Sequence, residues 1–98
     1  MIALGCDHGG LALKNAIRQY LEEKNIPYRD FGTMTEESVN YGPIAAAVAH
    51  SVAGGECEKG ILCCGTGIGM SIAANKVKGI RACVCSEPYT AKLSKMHN

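Results

Sequence analysis

Apolar runs of strand length at Ile2–Cys6, Tyr28–Phe31, Gly60–Cys64 and Ile80–Cys85 alternate with longer segments in which apolar residues recur at helical spacing. The order they predict is β-α-β-α-β-α-β-α. In the first helical segment, Leu11, Leu13, Ala16, Ile17, Tyr20 and Leu21 approximate one face, and Lys14, Arg18, Glu22 and Glu23 fall mostly on the other. Asn25-Ile26-Pro27 ends it. Thr33 to Asn40 reads as a polar loop, and Tyr41 to Ala53 as an Ala-rich helix with Pro43 in its first turn and Gly54-Gly55 at its close. A short helix runs from Gly69 to about Lys76, and Glu87 to Met96 forms another behind Ser86 and Pro88.

Strands that alternate with helices predict an α/β fold: a three-layer α/β/α sandwich on a parallel, Rossmann-like sheet with right-handed crossovers. In such sheets ligands sit outside the carboxyl ends of the strands, where strand order reverses. Two of these ends are rich in chemistry, Cys6-Asp7-His8-Gly9-Gly10 and Cys64-Gly65-Thr66-Gly67. If their strands are neighbours, the two loops face one cleft.

Composition narrows the ligand. The 98 residues fit one domain, and a hydrophobic content of 47% with one Phe and no Trp describes an aliphatic core. Ten basic and nine acidic side chains leave a net charge of +1, which gives no electrostatic reason to expect nucleic acid or an anionic membrane as partner. No apolar stretch approaches a bilayer span and no signal-peptide pattern opens the chain, so the expectation is a cytoplasmic protein with a small-molecule ligand. The six cysteines fall mostly in strand-like runs and read as small core residues. Without a CxxC or a paired Cys/His spacing, neither a metal framework nor a disulfide scaffold is expected.

The stretch Ile61-Leu62-Cys63-Cys64-Gly65-Thr66-Gly67-Ile68-Gly69-Met70-Ser71 carries the strongest signal. Glycines let backbone N–H groups approach a ligand, and the first turn of the following helix adds unpaired donors and a positive dipole end. A phosphate or an enediolate oxygen suits such a turn, though a plain strand-to-helix connection would use the same residues. Gly65 to Gly69 form G-x-G-x-G, with Met70 where a dinucleotide fingerprint has its third glycine, so a nucleotide reading with Glu87 as the ribose-binding acid is disfavoured. There is no P-loop lysine.

Cys64 ends its strand where helix-terminal N–H groups favour a thiolate, which makes it a candidate base or nucleophile. The alternative is a buried strand cysteine like Cys63; strand alternation sends only one of the adjacent pair into a given pocket. Asp7 and His8 could orient hydroxyls, although Asp7 could equally cap the first helix. His97 and Asn98 follow a helix, where a histidine can be a surface residue or a charge partner of the helix end. Tyr41 and Ser71 are weaker candidates for hydroxyl contacts, and His50 reads as exposed or helix-packed.

Together, Gly5-Cys6-Asp7-His8-Gly9-Gly10, Asp30-Phe31-Gly32-Thr33, Cys64-Gly65-Thr66-Gly67-Ile68-Gly69, Ile72-Ala73-Ala74-Asn75-Lys76, Gly79-Ile80-Arg81-Ala82 and Met96-His97-Asn98 resemble the ribose-5-phosphate isomerase B family, which includes galactose-6-phosphate isomerase subunits. The resemblance implies a metal-independent, cofactor-free aldose–ketose isomerase that works on a phosphorylated sugar through an enediol. It implies that Cys64 moves the proton between C2 and C1. Backbone of Gly65, Thr66, Gly67, Ile68 and Gly69 would stabilise the oxyanion, with the Thr66 hydroxyl beside the reacting oxygens. His97 would be the ring-opening acid, Asp7, His8 and Asn98 would bind hydroxyls or the ring oxygen, and a homodimer would complete each site. Ribose 5-phosphate is the leading substrate; galactose 6-phosphate, allose 6-phosphate and a non-catalytic sugar-phosphate-binding module are the alternatives.

Two departures from the family pattern stand out. The family's Asp-Tyr-Pro is Asn40-Tyr41-Gly42-Pro43 here, which shifts the proline and removes a carboxylate. Family chains also continue past the His-Asn pair to phosphate-binding arginines, so the resemblance implies a domain of residues 1–98 that is incomplete at its carboxyl end.

Overall fold

A computed structural model describes residues 1–98. Three parallel strands, β1 (Ile2–Cys6), β2 (Tyr28–Asp30) and β3 (Lys59–Cys63), form a sheet of order β2-β1-β3. The helices are α1 (Leu11–Glu23), α2 (Tyr41–Ala53), α3 (Ile68–Asn75) and α4 (Pro88–His97), with a short 3-10 turn at His8–Gly10 ahead of α1. Because β2 and β3 flank β1 on opposite sides, right-handed crossovers put α1 and α2 on opposite faces of the sheet. That is the expected three-layer arrangement. No helix is long and apolar enough to cross a membrane.

The register Leu4↔Ile61 and Cys6↔Cys63 brings the carboxyl ends of β1 and β3 level. The loops after them are therefore neighbours. Ala3, Val48 and Cys57 form a buried cluster on the α2 side, with Val52 and Leu62 packed against it. Gly5 and Gly60 are small because α2 lies so close: a β-carbon on either would come 2.9 or 2.8 Å from a Val48 methyl. Asn40 caps α2 through its side-chain oxygen, which accepts the Gly42 N–H at 3.1 Å.

Three expectations are corrected. The run Ile80–Cys85 makes no strand pairing. Part of its backbone is engaged elsewhere: the Asn75 side chain donates to the Ala82 carbonyl and accepts the Ala82 N–H, both at 2.7 Å, and Ile80 N–H bonds to Val77. A groove of about 740 Å³ runs along β3 and the segment from Gly79 to Ser86. Second, α1 is rotated from its expected face: Leu13 and Tyr20 are 59% and 55% exposed, while Lys14 is fully buried. The inward stripe of α1 passes through Lys14 and Leu21, with the Lys14 charge met by Asp30. Third, only Cys6, Cys57 and Cys63 are core residues; Cys83 and Cys85 are exposed, with their sulfurs 3.7 Å apart.

Candidate active site

The β1 and β3 loops interlock through backbone. Asp7 N–H donates to the Cys63 carbonyl at 3.2 Å, and a β-carbon on Gly9 would lie 3.4 Å from the Gly65 nitrogen. Asp7 Oδ1 accepts the Gly10 N–H at 3.0 Å, so Asp7 caps the 3-10 turn ahead of α1 and not α1 itself, whose N-cap is Gly10, and Oδ2 is left without a donor from the chain. His8 is exposed, and its Nδ1 accepts the Val39 N–H at 3.3 Å.

After β3 the two adjacent thiols part company. Cys63 is buried, and its thiol is pushed up to about 11, mainly by burial and secondarily by the neighbouring sulfurs of Cys6 and Cys64, against the pull of the Lys14 charge. Cys64 is half-buried and opens onto the groove, and its Sγ accepts the Gly67 N–H at 2.8 Å. That bond fixes the sulfur at the mouth of the glycine turn. Gly67 itself adopts a left-handed φ of 80°, and Val84 fills the space where a side chain would go.

Thr66 Oγ1 accepts the Ile68 N–H at 3.2 Å, which pins the hydroxyl beside the turn. Gly65, Thr66 and Gly69 N–H groups find no acceptor within the chain. Together with the amino end of α3 they are the donors an anion would use. Ser71 lines the same groove as Cys64 and donates its hydroxyl to the Ile68 carbonyl at 2.8 Å. The Tyr41 ring lies over Gly69, its hydroxyl 2.6 Å from the position of an added β-carbon.

His97 and Asn98 do not join this group. Both are exposed at the end of α4, and Asn98 lines a separate polar cavity of about 540 Å³ with Arg81, Asn75, Ser94 and Lys95. Glu87 accepts from Tyr89 and Thr90 N–H and caps α4, and its carboxyl is lowered below the ordinary value, first by the Thr90 hydroxyl and then by these N–H groups. It is a cap and makes no nucleotide site. His50 is exposed on α2. No three His, Cys, Asp or Glu side chains converge in a metal-ligating group. The Lys14–Asp30 pair and the Val39–His8 bond escape sequence reasoning, because each joins residues far apart in the chain.

A parallel sheet covered by helices, with the Cys64 thiol and the unpaired N–H groups of the glycine turn just past the carboxyl end of its edge strand, defines a Rossmann-like α/β protein. The chain belongs to the Ribose/Galactose Isomerase family, whose profile matches residues 2–98. It is 56% identical over 97 residues to ribose-5-phosphate isomerase B of Escherichia coli, covering 99% of this chain and 65% of that protein. It is 43% identical to D-erythrulose-4-phosphate isomerase of Pectobacterium atrosepticum, over 99% of this chain and 64% of the relative. Among solved structures, ribose-5-phosphate isomerase B of Clostridium thermocellum superposes with a TM-score of 0.95 at 50% identity, over 98% of this chain and 65% of that one. The chain thus spans about two thirds of the length of these relatives.

Proposed function

We propose that the chain carries the catalytic cradle of an aldose–ketose isomerase that interconverts ribose 5-phosphate and ribulose 5-phosphate in the cytoplasm. The observation that carries this reading is the Cys64 sulfur held by Gly67 N–H beside the free N–H groups of Gly65, Thr66 and Gly69. In the forward direction the Cys64 thiolate takes the proton from C2, the carbonyl oxygen at C1 becomes the enediolate oxygen, and the same thiol returns the proton to C1. Proton transfer between the two oxygens completes the balance. The N–H groups around the turn stabilise the charge that develops on oxygen, with no reorganisation needed at that moment.

Thr66 supplies a hydroxyl next to those oxygens, Asp7 Oδ2 and His8 take sugar hydroxyls or the phosphate end, and Tyr41 and Ser71 border the pocket. His97 acts as ring-opening acid and Asn98 as a substrate ligand. Within one chain Asn98 lines a different cavity from Cys64, and His97 lines neither, so the reading has the pair reach the thiol from a second copy in a homodimer. The family's range, ribose to galactose, and the erythrulose-phosphate relative make six- and four-carbon sugar phosphates the competing substrates.

The deciding experiment incubates the purified chain with ribose 5-phosphate in D2O with a chelator present. Ribulose 5-phosphate carrying solvent deuterium at C1 supports the reading; a folded chain that produces neither product nor exchange, with galactose 6-phosphate equally inert, would overturn it and leave a binding module.

A further inference from the structure

A buried cation ties down the loop that reaches back to His8. Lys14 comes from α1, yet its ammonium donates to Asp30 Oδ1 at 2.9 Å and to the Thr33 carbonyl at 2.5 Å, 3.7 Å from Met34 Sδ. Asp30 Oδ1 also accepts the Gly32 N–H at 2.9 Å. Its other oxygen is buried without a hydrogen bond and faces the Arg18 guanidinium at 3.6 Å. Cys6 adds a thiol donor to the Thr33 carbonyl at 3.5 Å, and Thr33 N–H bonds to the Cys6 carbonyl at 2.8 Å.

Stability alone is a poor reason for this arrangement. Each buried ion costs several kcal/mol in lost hydration, and apolar replacement of a buried pair is often neutral or stabilising. What the pair supplies is position. From Thr33 the chain runs to Asn40, and near its end Val39 N–H donates to His8 Nδ1 at 3.3 Å. A neutral imidazole that accepts at Nδ1 carries its proton on Nε2. The free Nε2–H is then available to donate to a ligand oxygen.

We infer that Lys14 is a positioning residue: by holding Asp30 and the Thr33 carbonyl it fixes the loop from Phe31 to Asn40, so that Val39 locks His8 as the Nε2-protonated donor. The use of that donor on a sugar phosphate rests on the function proposed above; the tautomer does not.

The test is NMR on the full chain with 15N label. Wild type shows a coupling across the Val39 N–H···Nδ1 bond, and a His8 Nδ1 shift of the unprotonated type. The variant Lys14→Met/Asp30→Leu exchanges the ion pair for an apolar pair. It folds, with β1 and α2 amide signals in place, but loses the coupling, and its Val39 amide exchanges about ten-fold faster, the loss of one ordinary hydrogen bond. Retention of the coupling in the folded double variant overturns the inference, as does a wild-type His8 protonated at Nδ1. Failure of the double variant to fold also overturns it, by assigning the pair to folding. Ribose 5-phosphate turnover, measured separately, reports on the isomerase reading without touching these signals.

Discussion

The α-carbon of Gly10 is seated on the carbonyl of Cys63, so that a β-carbon at residue 10 would come 2.2 Å from that oxygen. The contact joins the start of α1 to the end of β3 and keeps the Asp7 and Cys64 loops side by side. Both atoms that would collide are held by backbone, so neither can swing away. Gly10→Ala is expected to cost more than the roughly 1 to 3 kcal/mol of ordinary overpacking. Gly65→Ala meets no atom within 4 Å and should leave stability within about 1 kcal/mol of wild type. Urea denaturation of both variants checks this, and equal midpoints would show that the seat is not tight.

A second contact separates function from stability. Gly69 lies under the Tyr41 ring, with the phenol oxygen 2.6 Å from where a β-carbon would stand. Here the neighbour is the end of a side chain that is already 40% exposed and can move outward. Gly69→Ala should therefore unfold close to wild type, within about 1 kcal/mol, yet displace the phenol and crowd the N–H donors of the turn. The expected readout is a KM for ribose 5-phosphate raised about ten-fold with an unchanged denaturation midpoint. A lowered midpoint with an unchanged KM would reverse the assignment.

Local chemistry was readable in the sequence and long-range chemistry was not. The bounds of α2 follow from its Ala-rich run, Pro43 and the Gly54-Gly55 stop, and the Tyr41–Ala53 helix agrees with them residue for residue. The expectation that Cys64 ends its strand is one residue too long: β3 stops at Cys63, and the turn bond from Gly67 N–H, not alternation alone, sets Cys64 apart from its buried neighbour. The inward turn of Lys14 could not be read from periodicity, because the carboxylate that makes it tolerable is on β2. Likewise Ile80–Cys85 has the composition of a strand but pairs with none, and the Asn75 amide, which lies outside that apolar run, occupies the backbone of Ala82. His97 and Asn98 close one sequence motif with the rest of the site, but their position within one chain depends on how α4 packs.

If Cys64 is the base, Cys64→Ala should lower kcat for ribose 5-phosphate by at least about 100-fold, the low end of what a positioned acid–base group contributes. Cys63→Ala should change kcat less than about three-fold, since its sulfur is turned into the core. Solvent-deuterium exchange at the sugar should follow kcat in both. Parallel losses in the two variants, or undiminished turnover by Cys64→Ala, would remove Cys64 from the proton transfer.

Cys63 should instead appear in the pH dependence of stability. Its thiol rises from 9.0 to about 11 in the folded chain, chiefly through burial, so the folded state holds the proton more tightly than the unfolded one. Below pH 9 both states are protonated and the stability is fully present; between pH 9 and 11 the unfolded chain releases its proton first, and stability falls as pH rises. The displacement corresponds to no more than about 3 kcal/mol, reduced to roughly 1 to 2 by solvent near the sheet end. Burial also raises the Cys6 thiol, so Cys63→Ala should flatten the alkaline fall without abolishing it. Urea midpoints under reducing conditions, taken from pH 7.5 to 11, measure the slope. A Cys63→Ala chain that loses stability as steeply as wild type would place the alkaline sensitivity elsewhere.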